Sequence, residues 1–179
     1  MSFSKFVLSL WGWKVDCRVP ITDKCVIIIA PHTSIMDFIW GRLALSSLGL
    51  SVKFVIKSEF FFFPVGPIIR KMGAVPVKRG ARNEFPSYVT KCVQTEKEFR
   101  LVITPEGTRR ATKRWKKGFW VIAHMAKVPV FYGTVDYKHK IMTVYGEFEI
   151  TEDWEADHTR LKKSYVGANA KYPKGFTTD

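Results

Sequence analysis

The run Val26-Ile27-Ile28-Ile29-Ala30-Pro31-His32-Thr33-Ser34 decides the fold. Five apolar residues, four of them β-branched, end at a proline, as a strand buried on both faces would. Ser34 is placed to cap a helix running to about Ser47, and Gly49 to end it. A buried strand that turns directly into a capped helix opens a β-α unit, and the rest of the chain repeats that alternation. Lys53 to Lys57 reads as a second strand, Pro64 to Met72 as a short helix or loop bounded by Gly73, and Ala74 to Lys78 as a third strand. Glu84 to Phe99 has helical spacing through Tyr88, Val89, Cys92, Val93 and Glu96, and Leu101 to Thr104 returns as a strand.

Gly118 to Lys127 is again helix-like, and Val128 to Tyr137 and Ile141 to Ile150 read as two strands joined by a tight turn at Lys138-His139-Lys140. Asp153 to Val166 closes with a helix, and residues 167–179 read as a loop-like tail. The pattern predicts an α/β fold in a single domain spanning 1–179. A mostly parallel central sheet carries helices on both faces, with an antiparallel hairpin near the C-terminal end. In such sheets function sits where strands end and helices begin.

Composition agrees with one domain: 179 residues, 46% hydrophobic and 25% charged. That balance excludes a wholly disordered chain. Cys17, Cys25 and Cys92 are odd in number and unpatterned, so a disulfide framework and a zinc site are both excluded, and they read as reduced thiols of a cytoplasmic protein. No run of 18 apolar residues suggests a spanning helix. The unusual quantities are a net charge of +13 and an aromatic content of 15%. A small basic, aromatic-rich domain is expected to meet something anionic: nucleic acid, an anionic membrane surface, or an acidic or phosphorylated partner.

The charge is clustered. Between Gly107 and Lys127 there are seven basic residues and no acid, Arg70, Lys71, Lys78, Arg79 and Arg82 form a second group, and Glu147 to Asp157 holds six acids. Near the N-terminus, Phe3, Phe6, Val7 and Leu10 fall at helical spacing with Ser2, Lys5 and Ser9 opposite, and Trp11 and Trp13 follow. Residues 1–16 therefore have two readings, a helix that covers the core and an amphipathic helix lying in a membrane interface.

Chemistry gathers at three strand ends. His32 and Asp37 are five apart, too far round one regular helix to meet. With His32 in the turn and Asp37 in the helix, the carboxylate can orient the imidazole and leave its other nitrogen free as a general base. A packed histidine before a capped helix is the alternative. Thr104-Pro105-Glu106-Gly107-Thr108-Arg109-Arg110 offers close backbone approach, a hydroxyl and a guanidinium fork to a phosphate, although it is no P-loop. Val77-Lys78-Arg79-Gly80 offers a second clamp.

Taken in order, His32-x4-Asp37, Gly73 to Arg79, Pro105 to Arg109 and Val128-Pro129-Val130 closely resemble the four sequence blocks of the glycerolipid acyltransferase family, which includes the lysophosphatidic acid acyltransferases. The likeness spans Val26 to Asp136. Ala30 to Ser34, Trp115 to Phe119 and Lys171-Tyr172-Pro173 are similar to a short bacterial branch. The chain departs from the family in Pro31, where Asn is common before the His, and in Thr104 and Arg110 around the third block.

The resemblance implies a fatty acyl transfer from an acyl-CoA or acyl carrier protein thioester to a hydroxyl of a lysophospholipid or related glycerolipid. His32 would be the base and Asp37 its partner, with Arg79, Glu106, Gly107, Thr108 and Arg109 binding the acceptor. No acyl-enzyme, metal or other cofactor is expected. The protein would work in the cytoplasm, peripheral to the inner face of an anionic membrane, with no nucleic-acid partner. Two alternatives are a basic nucleic-acid-binding domain, although no pattern of that kind is visible, and a non-catalytic lipid-binding member of the same fold.

Overall fold

The computed structural model describes residues 2–77 and 84–178. Its centre is β2 (Lys24–Ile29), which pairs in parallel with β5 (Phe99–Ile103) on one side and β6 (Val130–Asp136) on the other. Beyond β5 come β3 (Lys53–Lys57) and β4 (Ala74–Val77), also parallel. Beyond β6 comes β7 (Ile141–Glu147), antiparallel to it, and then β1 (Lys14–Cys17), parallel to β7. The order is β1-β7-β6-β2-β5-β3-β4. Five strands thus run one way and the edge pair β7-β1 the other, with the hairpin where the sequence places it.

Alternation along β2 explains the two cores. Cys25, Ile27 and Ile29 face one layer with Trp40, Leu45, Phe54 and Phe131, covered by α1 (Phe3–Leu10) and α2 (Ile35–Ser47). Val26, Ile28 and Ala30 face the other layer with Val89, Phe119, Leu161 and Tyr165, covered by α4 (Glu84–Thr95), α5 (Gly118–Ala126) and α6 (Trp154–Lys163). The short α3 (Val65–Lys71) precedes β4. Every side chain of β2 after Lys24 is buried, which is why the run is apolar without a polar face.

Several boundaries differ from the sequence reading. The N-terminal segment is not one helix through residue 16: α1 ends at Leu10 and Lys14–Cys17 adds an edge strand. Four residues with a lysine and an aspartate carry little strand signal, and β1 is fixed by its distant partner β7. Helix α4 stops at Thr95 because Phe99 already begins β5. Val128 and Pro129 lie outside β6, following Lys127, which takes the left-handed conformation at φ 53° and ends α5. The tail lacks regular structure apart from one short turn of helix at Pro173–Gly175, yet it is packed: Ala170 is buried and Phe176 lies against the core.

Helix α1 covers the core with one side and leaves apolar side chains exposed on the other. Leu8 and Ser4 are buried against α2, where the Ser4 hydroxyl donates to Ser46 Oγ at 3.0 Å. Phe3, Phe6, Leu10 and Trp11 point outward and are exposed. Among the described residues no helix is long and apolar enough to cross a membrane.

Candidate active site

The end of β2 and the start of α2 build the site. Ser34 is the N-cap of α2: its hydroxyl accepts the Met36 N–H at 3.2 Å, and the Asp37 carboxylate reaches back to the Ser34 N–H at 2.8 Å. This reciprocal pair is a capping box. The same Asp37 oxygen, Oδ2, accepts the Thr33 N–H at 2.7 Å and lies 3.2 Å from Nδ1 of His32. The contact is off the line of a good hydrogen bond. The His32 side chain is 21% exposed and that of Asp37 only 3%, so the imidazole reaches solvent over a buried carboxylate.

The second Asp37 oxygen, Oδ1, accepts the Tyr137 hydroxyl at 2.6 Å. Burial pushes the Asp37 carboxyl up, but donors from His32, Tyr137, Ser34 and Thr33 outweigh it and hold the group below its ordinary value. Asp37 is therefore an anion in the first turn of a helix, where the dipole also favours negative charge.

Glu106 follows β5, whose Ile103 is level with Ile28 of β2. Its carboxyl turns inward. Oε1 accepts the His32 N–H at 2.8 Å, and Oε2 is buried without a hydrogen-bond partner among the described residues. Burial raises this carboxyl to about 7, against the opposing pull of its own N–H and that of His32. Glu106 thus braces the backbone that carries the imidazole.

Gly107, Thr108 and Arg109 turn outward from the same loop. Gly107 has φ +61°, donates its N–H to Thr104 O at 3.2 Å, and has the Lys116 side chain packed against it. The Thr108 hydroxyl oxygen accepts the Arg110 N–H at 3.3 Å, and Arg109 and Arg110 are exposed. The tail closes over this loop: the Tyr172 N–H donates to Thr33 Oγ1 at 3.2 Å, and Gly175 packs against the Thr33 methyl and the Arg109 carbonyl.

The structure therefore brings His32, Asp37 and Glu106 together and sets Gly107 to Arg109 on the loop beside them. Arg79 lies outside the described residues. Tyr137 and the Thr33 and Ser34 N–H groups were not signalled by sequence: Tyr137 is 100 positions from Asp37. The other histidines lie elsewhere, His124 against Trp120, His139 against Asp136 in the β6-β7 turn, and His158 stacked on Trp154. A groove of about 490 Å³ lined by Arg42, Lys53, Arg70 and Lys71 sits at the far end of α2, roughly 20 Å along the helix from the site. It is not contiguous with His32.

Comparison with known proteins identifies the family and the fold. Residues 17–132 match the family model described as Acyltransferase. The chain is 32% identical over 161 residues to a chloroplastic 1-acyl-sn-glycerol-3-phosphate acyltransferase of Brassica napus, an alignment covering 81% of this chain and 46% of that protein. It is 29% identical over 161 residues to a chloroplastic 1-acyl-sn-glycerol-3-phosphate acyltransferase of Arabidopsis thaliana, covering 81% and 44%. The chain thus spans less than half the length of these curated relatives. The crystal structure of PlsC, the 1-acyl-sn-glycerophosphate acyltransferase of Thermotoga maritima, shares the fold with a TM-score of 0.61 at 17% identity, over 94% of this chain and 79% of that one.

Proposed function

The chain belongs to the acyltransferase family, and on that premise we propose that it moves a fatty acyl group from a thioester to a hydroxyl of a lysophospholipid, with His32 as general base. The observation that carries this reading is the His32–Asp37 pair itself: a solvent-reaching imidazole whose Nδ1 lies 3.2 Å from a buried, multiply held carboxylate. With the proton of the imidazole on Nδ1, toward Asp37, Nε2 is the acceptor for a hydroxyl proton. The hydroxyl oxygen then attacks the thioester carbonyl, the C–S bond breaks, and the imidazolium returns its proton to the departing thiolate. No nucleophile on the protein is required.

Arg79 and the Gly107 to Arg109 loop are assigned to the acceptor's phosphate, where an exposed guanidinium and a close backbone approach suit an oxyanion. Glu106 holds the His32 backbone through Oε1. The donor thiol is that of coenzyme A or an acyl carrier protein. The exposed Phe3, Phe6, Leu10 and Trp11 of α1, with Ile35 and Ile39 of α2 close to His32, suit a protein that rests on the cytoplasmic surface of an anionic membrane and takes its acceptor from it. Trp11 meets the buried Trp40 of α2 at 5.9 Å.

The test is a screen of the purified chain against lysophospholipid acceptors with both acyl-CoA and acyl carrier protein donors, read by mass spectrometry of the lipids. Acyl transfer to a lysophospholipid, dependent on the thioester, is expected. A protein that binds these lipids and acylates none of them would overturn the reading.

A further inference from the structure

We propose that Tyr137 is a positioning residue for this reaction, holding the Asp37 carboxylate so that its other oxygen stays turned toward the imidazole of His32. The proposal rests on the assignment of His32 as base.

A carboxylate has two oxygens and a soft terminal torsion, so one well-placed partner does not fix its plane. In Asp37 the two oxygens are served separately. Oδ2 takes the Thr33 and Ser34 N–H groups and faces His32 Nδ1, while Oδ1 takes only the Tyr137 hydroxyl among the described residues, at 2.6 Å. A hydroxyl donating to an anion at that separation is a strong, charge-assisted bond. Without it Oδ1 would be buried and unpaired, and turning the carboxylate would carry Oδ2 away from the imidazole.

Tyr137 is itself fixed from three directions. It follows the last residue of β6, and its N–H donates to Asn169 O of the tail at 3.0 Å. The indole of Trp13 packs against its ring at 5.3 Å with the planes at 90°, and Trp13 in turn stacks on Trp40 of α2 at 5.0 Å. The Lys171 ammonium stands 6.0 Å from the ring centroid. A tyrosine anchored by the tail, the β1 entry and the helix that also bears Asp37 has little freedom to follow a turning carboxylate. It sets the plane instead. Burial and the adjacent Asp37 anion push the Tyr137 hydroxyl up, so it remains a donor and supplies no proton to the reaction. Among the described residues the ionisable groups around the pair are Tyr137, Glu106, Lys171 and Tyr172, and Tyr137 is the one side chain hydrogen-bonded to Asp37, with His32 Nδ1 3.2 Å away.

The experiment is Tyr137→Phe in the full chain, which keeps the ring and removes the hydroxyl. Acceptor-dependent thiol release from an acyl-CoA is measured against pH, beside wild type and His32→Ala. The expected result is a kcat about tenfold lower with both KM values unchanged within about twofold. The acid limb of kcat/KM moves to higher pH, because a carboxylate that loses a donor holds its charge less dispersed and binds protons more tightly. A purely structural contribution would lower the rate and leave the profile in place.

A Tyr137→Phe enzyme with wild-type kcat and an unmoved profile overturns the proposal, as does a raised KM with unchanged kcat, which would make Tyr137 a substrate contact. If the Phe variant melts below the assay temperature, 3-fluorotyrosine at 137 decides instead: as a stronger donor it moves the acid limb to lower pH, and an unmoved limb overturns the proposal. Full activity in a folded His32→Ala would remove the base assignment itself, an outcome separate from failure of the Tyr137 variant alone.

Discussion

Asp37 accepts the Thr33 and Ser34 N–H groups and faces the imidazole of His32 through one oxygen, so one carboxylate both caps a helix and stands beside the candidate base. The spacing has a physical origin. A capping box puts the acid three residues after the N-cap, and a base two residues before the cap lies on the incoming turn, within reach of it. The capped helix start and the proximity of His32 to Asp37 therefore have one structural origin. Glu106 adds a prediction at this scale. Its carboxyl, raised by burial from 4.5 to about 7, holds a proton in the folded chain that the unfolded chain releases. Stability must then fall as pH rises from 4.5 to about 7 and level off above it. Glu106→Gln keeps an oxygen for the His32 N–H and abolishes that slope, matching wild type in acid and exceeding it above neutrality. Glu106→Ala also removes the slope but strands the His32 N–H, so against wild type it costs about 1–3 kcal/mol in acid and less as pH rises. Urea melts across pH read both; a wild-type slope in the Gln variant would assign it to another group.

Helix α1 shows what an element's pattern does and does not reveal. Its apolar stripe was plain in the sequence, but which side meets the core was not, because Ser4 is as small as an alanine and fits against Ser46, leaving the phenylalanines outside. The two sides predict opposite behaviour. Leu8→Ala empties a buried site and costs about 2–5 kcal/mol. Phe6→Ser with Leu10→Ser leaves thermal stability within about 0.5 kcal/mol per site and lowers binding to anionic phospholipid vesicles at least about tenfold. Co-sedimentation with vesicles and thermal melts separate these effects. Unchanged vesicle binding in the double variant would assign membrane attachment, if any, to another surface.

Across the whole molecule, the sheet does the assembling. Parallel pairing of β2 with β5 and β6 carries the turn holding His32, the loop holding Glu106 and the residue after β6 to one end of the sheet. The hairpin, the central buried strand and the ends of α2 were legible because local patterns encode them: a β-branched run, a capping serine, a closing glycine. Edge strand β1 and the Tyr137 contact were not, since each is defined by a partner more than 90 residues away and has no local signature. Glu106 was legible as a candidate residue at a strand end, while its inward turn toward the His32 backbone follows only from strand register. The excess of positive charge, +13 overall, predicts an anionic partner without locating the chemistry.

The central claim is that His32, held against Asp37, is the base that activates the acceptor hydroxyl. Acceptor-dependent thiol release by His32→Ala, with circular dichroism and melting temperature alongside, measures it directly. The account predicts an intact fold and a rate lower by about 100- to 10,000-fold. A folded His32→Ala protein that releases thiol at the wild-type rate would contradict it.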